Sequence, residues 1–225
     1  MSSSYAFPAE RSSSGIARRW LLAYVISQLI CMSVSALAAA LAQAAGWPAG
    51  SPGFFSLNLA VALTYGLTFG YLRGCVLREL LAGFPMRTWC VVIAGVALAS
   101  VLVSTPGVGT TPAPPAAAMT VHMMMRAVIP VAFAGVAYGI VIGVVEAFVL
   151  RRAAQGLFAW ILISGLAWAG GLLVMMTGAM LLLSRPDLSP FEMGAIGVLT
   201  SLLKAFVVGL LMLPALRVLT PKLRA

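Results

Sequence analysis

Apolar residues gather in six long blocks along this chain, at about 20–45, 54–77, 88–104, 126–150, 157–183 and 193–216, with short polar segments between them. None of the blocks alternates apolar and polar positions as a half-buried strand or a membrane β-barrel strand does. Their lengths lie around the ~20 residues that a helix needs to cross a bilayer, the third block being the shortest. In hydrocarbon each block must satisfy its own backbone donors and acceptors, and helices do so. The pattern predicts an all-α membrane protein of six transmembrane helices, numbered 1 to 6 in chain order.

Composition agrees: of 225 residues, 62% are hydrophobic and 8% charged, and the mean hydropathy is +1.06. A soluble domain carries roughly a quarter of its residues as Asp, Glu, Lys or Arg, so lipid is the main solvent here. The net charge of +9 is unevenly placed. Arg11, Arg18, Arg19, Arg78, Arg87, Arg151, Arg152, Arg217, Lys222 and Arg224 fall before helix 1, between helices 2 and 3, between helices 4 and 5, or after helix 6. The opposite loops hold Arg126 and Arg185. That asymmetry predicts cytoplasmic termini, a bacterial inner-membrane location, and contact of the basic end with anionic lipids. No basic run exceeds two residues, so nucleic acid is not an expected partner. "ARRWLLAYV" opens like an export signal, but the apolar run is far longer than the ~7–15 residues of a signal core and reads as a retained helix. The Ser-rich residues 1–15 read as a disordered cytoplasmic tail, and "STPGVGTTPAPPAAAMT" (104–120) as an external linker.

The chain repeats. Tyr65–Arg78, "YGLTFGYLRGCVLR", aligns without a gap to Tyr138–Arg151, "YGIVIGVVEAFVLR", and Lys204–Arg217 fits the same frame. A tryptophan (Trp20, Trp89, Trp160) opens the helix before each copy, where an interfacial indole is favoured. One domain over 16–225 is therefore expected, made of three tandem hairpins at about 18–79, 87–152 and 158–218. Small residues recur every fourth position: Ala62, Gly66, Gly70 and Gly74; Gly135, Gly139, Gly143 and Ala147; Gly197, Ser201, Ala205 and Gly209. In lipid, helices associate through such small faces, so helices 2, 4 and 6 are expected to pack together centrally with 1, 3 and 5 outside. Gly-spaced hairpins ending in "VLR", followed by a Trp-led helix such as "WILISGLAW", resemble a group of uncharacterised bacterial multi-pass membrane proteins. The resemblance covers helices 2 to 5 well and 1 and 6 loosely, and it implies the fold alone. That group often has Gln where this chain has Arg73 and Glu146.

Three charges interrupt the helices. Arg73 and Glu146 each stand eight residues beyond the equivalent tyrosines Tyr65 and Tyr138, five residues inside Arg78 and Arg151. They share one depth, and an Arg–carboxylate pair is cheaper in lipid than two separate charges, so a pair between helices 2 and 4 is expected, with Arg152 and interfacial water as competing partners of Glu146 and a proton or cation site there as the alternative. Lys204 lies 13 residues from Arg217, or about 20 Å along a helix, near mid-bilayer. It is expected to face away from the small-residue stripe, toward a polar cavity or a carboxylate with Tyr65 and Tyr138 in the same layer, or else to reach a water defect with its long side chain.

Enzyme chemistry has little support. His122 is the single histidine, and Cys31, Cys75 and Cys90 have no ligand spacing, so no metal site, cofactor or catalytic role is expected. Met123 to Met125 read as the start of helix 4 meeting lipid, and Trp168 as packing. Two functions fit: transport of a small solute, alone or as a transporter accessory, and a non-catalytic assembly role with another membrane protein or a second copy. Costly intramembrane charges favour the first.

Overall fold

The computed structural model of the protein describes residues 13–48, 50–104, 121–185 and 187–221. Most of the expected tail and of the 104–120 linker lies outside them, as do the side chains of His122 and Met123 to Met125. The long helices are α1 (Ser13–Ala44), α2 (Pro52–Leu80), α3 (Met86–Ser104), α4 (Val121–Leu150), α5 (Leu157–Ser184) and α6 (Pro190–Leu211), followed by a short α7 (Leu213–Val218). Five spans are long and apolar enough to cross a membrane, α6 and α7 forming one of them; α3 is apolar but shorter.

Local chemistry sets the boundaries. Ser51 caps α2, accepting from the Phe54 N–H at 3.2 Å with Pro52 in the first turn. Ser189 and Glu192 close a reciprocal capping box on α6, again with proline in the first turn. Both satisfy donors that a helix start leaves free. The sixth apolar block was expected to continue to 216 as one helix, but the chain turns at Met212. Pro214 has no N–H to offer the Leu210 carbonyl, and the loss of that bond accompanies the break between α6 and α7. Beyond α7, Thr220–Pro221 (β2) pairs antiparallel with Ala154–Gln155 (β1), fastening the α4–α5 connector to the chain after α7.

The six long helices form a ring. α1 packs on α2, α2 on α3, α4 on α5 and α5 on α6, and α6 returns to α1; α3 meets α4 through the thinnest of these contacts. This corrects the expected arrangement. Among the described residues, α2, α4 and α6 share no extended interface, so they are not a central trio with α1, α3 and α5 outside.

The small-residue stripes instead seat each helix against a ring neighbour. A Cβ on Gly66 would lie 2.6 Å from the Ala94 Cα of α3, and one on Gly70 3.2 Å from the Cys90 Cα. Gly74 faces Met86 and Trp89 of the same helix. Gly135 abuts Ala169, Gly139 abuts Ser164 and Gly165, and Gly143 abuts Ile161, all on α5. Gly209 packs on Tyr24 and Leu21 of α1, beside buried Ala205, while Ser201 is half-buried and nothing lies within 4 Å of a Cβ on Gly197. Close backbone approach accounts for Gly66, Gly70, Gly135, Gly139 and Gly143, whereas Gly74 and Gly209 face side chains. The partner differs because short connectors (81–85 and 151–156) hold α2 against α3 and α4 against α5 as antiparallel neighbours.

Candidate functional site

Two layers of polar and aromatic side chains lie in the ring, eight residues apart along each helix. The first lies near the arginine-rich end. α1, α3 and α5 bring Trp20, Trp89 and Trp160 there close to their starts, and α2 and α4 bring Arg73 and Glu146 close to their ends. All three indoles are fully buried, and Arg73 and Glu146 are 2% and 1% exposed. The tryptophans were expected at the lipid interface; they point inward, because a buried charge pair there offers their rings and N–H groups better partners.

Arg73 Nη1 donates to Glu146 Oε1 at 2.6 Å and Nη2 to Oε2 at 3.2 Å, the two-pronged geometry that suits a guanidinium. Trp160 Nε1 donates to Glu146 Oε2 at 2.9 Å, and Trp89 Nε1 to the Gly70 carbonyl at 3.0 Å. The expected pair between helices 2 and 4 is therefore present. Five aromatic rings surround its cationic half: the Arg73 Cζ lies 4.7 Å from the Phe69 centroid, 4.9 Å from Trp20, 5.2 Å from Tyr24, 5.3 Å from Trp89 and 6.0 Å from Trp160. Each face presents partial negative charge to the guanidinium. Arg73 Nε and Trp20 Nε1 are buried without a hydrogen-bond partner among the described residues. A second ion pair, Arg19–Glu79 at 2.7 Å, joins α1 to α2 on the exposed rim.

The second layer lies deeper. Gln28, Tyr65, Ala97, Tyr138, Trp168 and Lys204 each stand eight residues inward from Trp20, Arg73, Trp89, Glu146, Trp160 and Met212 respectively. Eight residues correspond to about 12 Å of helix. Tyr65, Ala97, Tyr138 and Trp168 line a cavity of about 40 Å³ whose other walls include Phe69, Ile93 and Ile142, and which extends to Glu146. That exceeds the ~10–15 Å³ required by one water. Its lining comes from α2, α3, α4 and α5, so the cavity lies behind the thin α3–α4 seam. Tyr138 packs edge-on against Trp168 at 5.0 Å and shares a 3.1 Å hydrogen bond with Ser100.

Lys204 sits on α6 with its ammonium 5.8 Å from the Trp168 ring centroid. Its stem packs against Gly171 of α5, and Cys31 of α1, one turn on from buried Gln28, lies near it. No carboxylate meets it among the described residues.

The structure thus joins Arg73 to Glu146 and places Lys204 apart from both, across Trp168 from the cavity. Trp20, Trp89, Trp160, Tyr24 and Phe69 belong to the first layer but were not foreseen as site residues. Their signal was available: the three tryptophans share a depth with the two charges. Among the described residues no three His, Cys, Asp or Glu side chains come together to hold a metal, and the three cysteines are free thiols. In comparisons with known proteins, no family model, curated protein or solved structure matches the chain.

Proposed function

We propose that the protein handles a small solute within the membrane, as a transporter or as the solute-binding accessory of one. The observation that carries this reading is the cavity at the second layer, walled by tyrosine and tryptophan and reaching the buried Glu146. A bundle needing only to fold would fill that space, since voids cost contacts and polar groups in lipid are expensive. In this reading the three hairpins are one ancestral unit repeated, the termini face the cytoplasm of a bacterial inner membrane, and the basic end contacts anionic lipid. The chain performs no catalysis and carries no cofactor.

The assembly reading has an observation of its own. A Cβ on Gly194 or Gly197 of α6 would meet nothing within 4 Å, so a small-residue face stands uncovered there. Such a face suits a helix of another membrane protein or of a second copy. Purification in native lipid followed by mass spectrometry separates the two. A recurrent small molecule released from the protein supports solute handling; a stoichiometric protein partner with no small molecule overturns it.

A further inference from the structure

A larger cavity lies outside both layers, at the arginine-rich end. Its volume is about 160 Å³, and it is lined by Ile16 and Ala17 of α1, Leu80 of α2, and Leu213, Leu216 and Arg217 of α7. The break at Met212 creates it. α7 packs on α5 and α6 but makes no extended contact with α1 or α2 among the described residues, so a gap separates it from the first hairpin. Ile16, Leu80 and Leu213 pack against the core and stay half-buried. The wall is also ordered by polarity. Leu213 adjoins Met212, which stands at the first-layer register, and Arg217 lies about one turn further out. The inner end is apolar and the outer end is cationic. Arg217 is exposed and meets no carboxylate among the described residues. Glu79, beside Leu80, is already held by Arg19 at 2.7 Å.

We infer that this cavity binds one anionic phospholipid, its phosphate on Arg217 and the first carbons of one acyl chain between Ile16, Ala17, Leu80 and Leu213. A cavity of about 150 Å³ holds a benzene-sized molecule, so a short stretch of chain has room here. A guanidinium offers paired donors to phosphate oxygens. An acyl chain gains little by exchanging lipid neighbours for leucines, so the headgroup decides which lipid is held. A zwitterionic lipid brings its own cation beside the phosphate, whereas an anionic one leaves its charge for Arg217. Free phosphate would match the arginine and leave the apolar wall unfilled. The lipid would touch α1, α2 and α7 together, joining the first hairpin to the chain end that β2 fastens to the α4–α5 connector. The inference rests on the proposed contact of the basic end with anionic lipid, gives that contact an address, and is independent of solute handling.

The test titrates the full chain in maltoside micelles with phosphatidylglycerol or phosphatidylcholine of identical acyl chains. Native mass spectrometry counts the lipids retained, and Trp fluorescence follows the melting temperature. One phosphatidylglycerol should be retained with about fivefold preference, the effect of one cation on an anionic headgroup, and should raise the melting temperature. Arg217→Gln should bring the two lipids to near equality, and Arg217→Lys should keep the preference. Arg87→Gln, at an exposed arginine outside the cavity, should leave it unchanged. Ala17→Leu should fill the wall and lower retention without lowering the melting temperature of the lipid-free protein; it serves as the main test if Arg217→Gln does not fold. A preference that survives Arg217→Gln, or that Arg87→Gln lowers equally, would overturn the site and leave a diffuse contact of the basic end with anionic lipid. Equal retention of both lipids by the unaltered protein would overturn the site and that contact together. Millimolar inorganic phosphate raising the melting temperature as much as phosphatidylglycerol would reassign the cavity to a soluble anion.

Discussion

Removing one member of the Arg73–Glu146 pair should do far more harm than removing both, and the two single changes should be unequal. Unpairing a buried ion costs roughly 3–5 kcal/mol, because the remaining charge stays out of water. In Glu146→Gln the remaining charge is Arg73, which keeps its five aromatic rings. Cation–π contacts contribute about 0.5–2 kcal/mol each when desolvated, so this loss should fall near the low end, at about 2–3 kcal/mol. In Arg73→Gln the remaining charge is the Glu146 carboxylate, left with the Trp160 N–H at 2.9 Å. Aromatic faces repel an anion, so this variant should lose the full ~4–5 kcal/mol. The double change leaves two amides able to bond each other, at a cost of about 1–2 kcal/mol, giving a coupling of roughly 4–7 kcal/mol. Reversible unfolding in mixed detergent, followed by Trp fluorescence, measures all four proteins. Additive losses would refute the pairing argument, and a worse Glu146→Gln than Arg73→Gln would refute the role given to the aromatic cage.

Further outcomes follow from the same geometry. Arg73→Ala empties the cage without removing Glu146, so millimolar methylguanidinium should raise its melting temperature, whereas methylurea should not; no difference between them would mean that the rings and carboxylate do not form a cation site. Gly139→Val drives a side chain into the Ser164–Gly165 backbone and should cost roughly 3 kcal/mol or more. Gly197→Ala meets open space and should stay within about 0.5 kcal/mol; folded yield by size-exclusion chromatography compares the two. For orientation, cysteines at Ser51 and Ser189 in a background lacking Cys31, Cys75 and Cys90 should react with an impermeant thiol reagent added to intact cells. A cysteine at Thr220 should not, and its labelling would reverse the proposed topology.

Six long apolar helices and their approximate ends were legible in the chain, because lipid imposes length and polarity constraints that a single sequence expresses directly. Arg73 and Glu146 could be paired from depth and repeat position alone. The lateral arrangement was not legible. A glycine stripe announces close approach but does not name the neighbour, and Gly66 and Gly139 fit Ala94 and Gly165 as well as they could have fitted each other. Connector length was the overlooked constraint, since 81–85 and 151–156 are too short to let α3 and α5 leave α2 and α4. The tryptophans were misassigned for a similar reason. Interfacial depth is shared by lipid-facing and inward-facing indoles, and what separates them is a charge on the adjacent helix. Pro214 carried the break in the sixth apolar block, though apolar continuity concealed it.

The 73 residues that separate Arg73 from Glu146 impose an order in time. At roughly 5–20 residues per second of synthesis, about 4–15 s pass between the arrival of the arginine and that of its carboxylate. Throughout that interval a cation belongs to a nascent helix with no counter-ion. In the proposed topology its place five residues inside Arg78, or about 7–8 Å, would let the side chain wait in the headgroup region and withdraw when α4 arrives. Trp20 and Trp89 are made before Glu146, so the arginine's first shelter is aromatic. An Arg moved two turns deeper would have no such refuge, and biogenesis rather than final stability would set the limit on where this lock can stand.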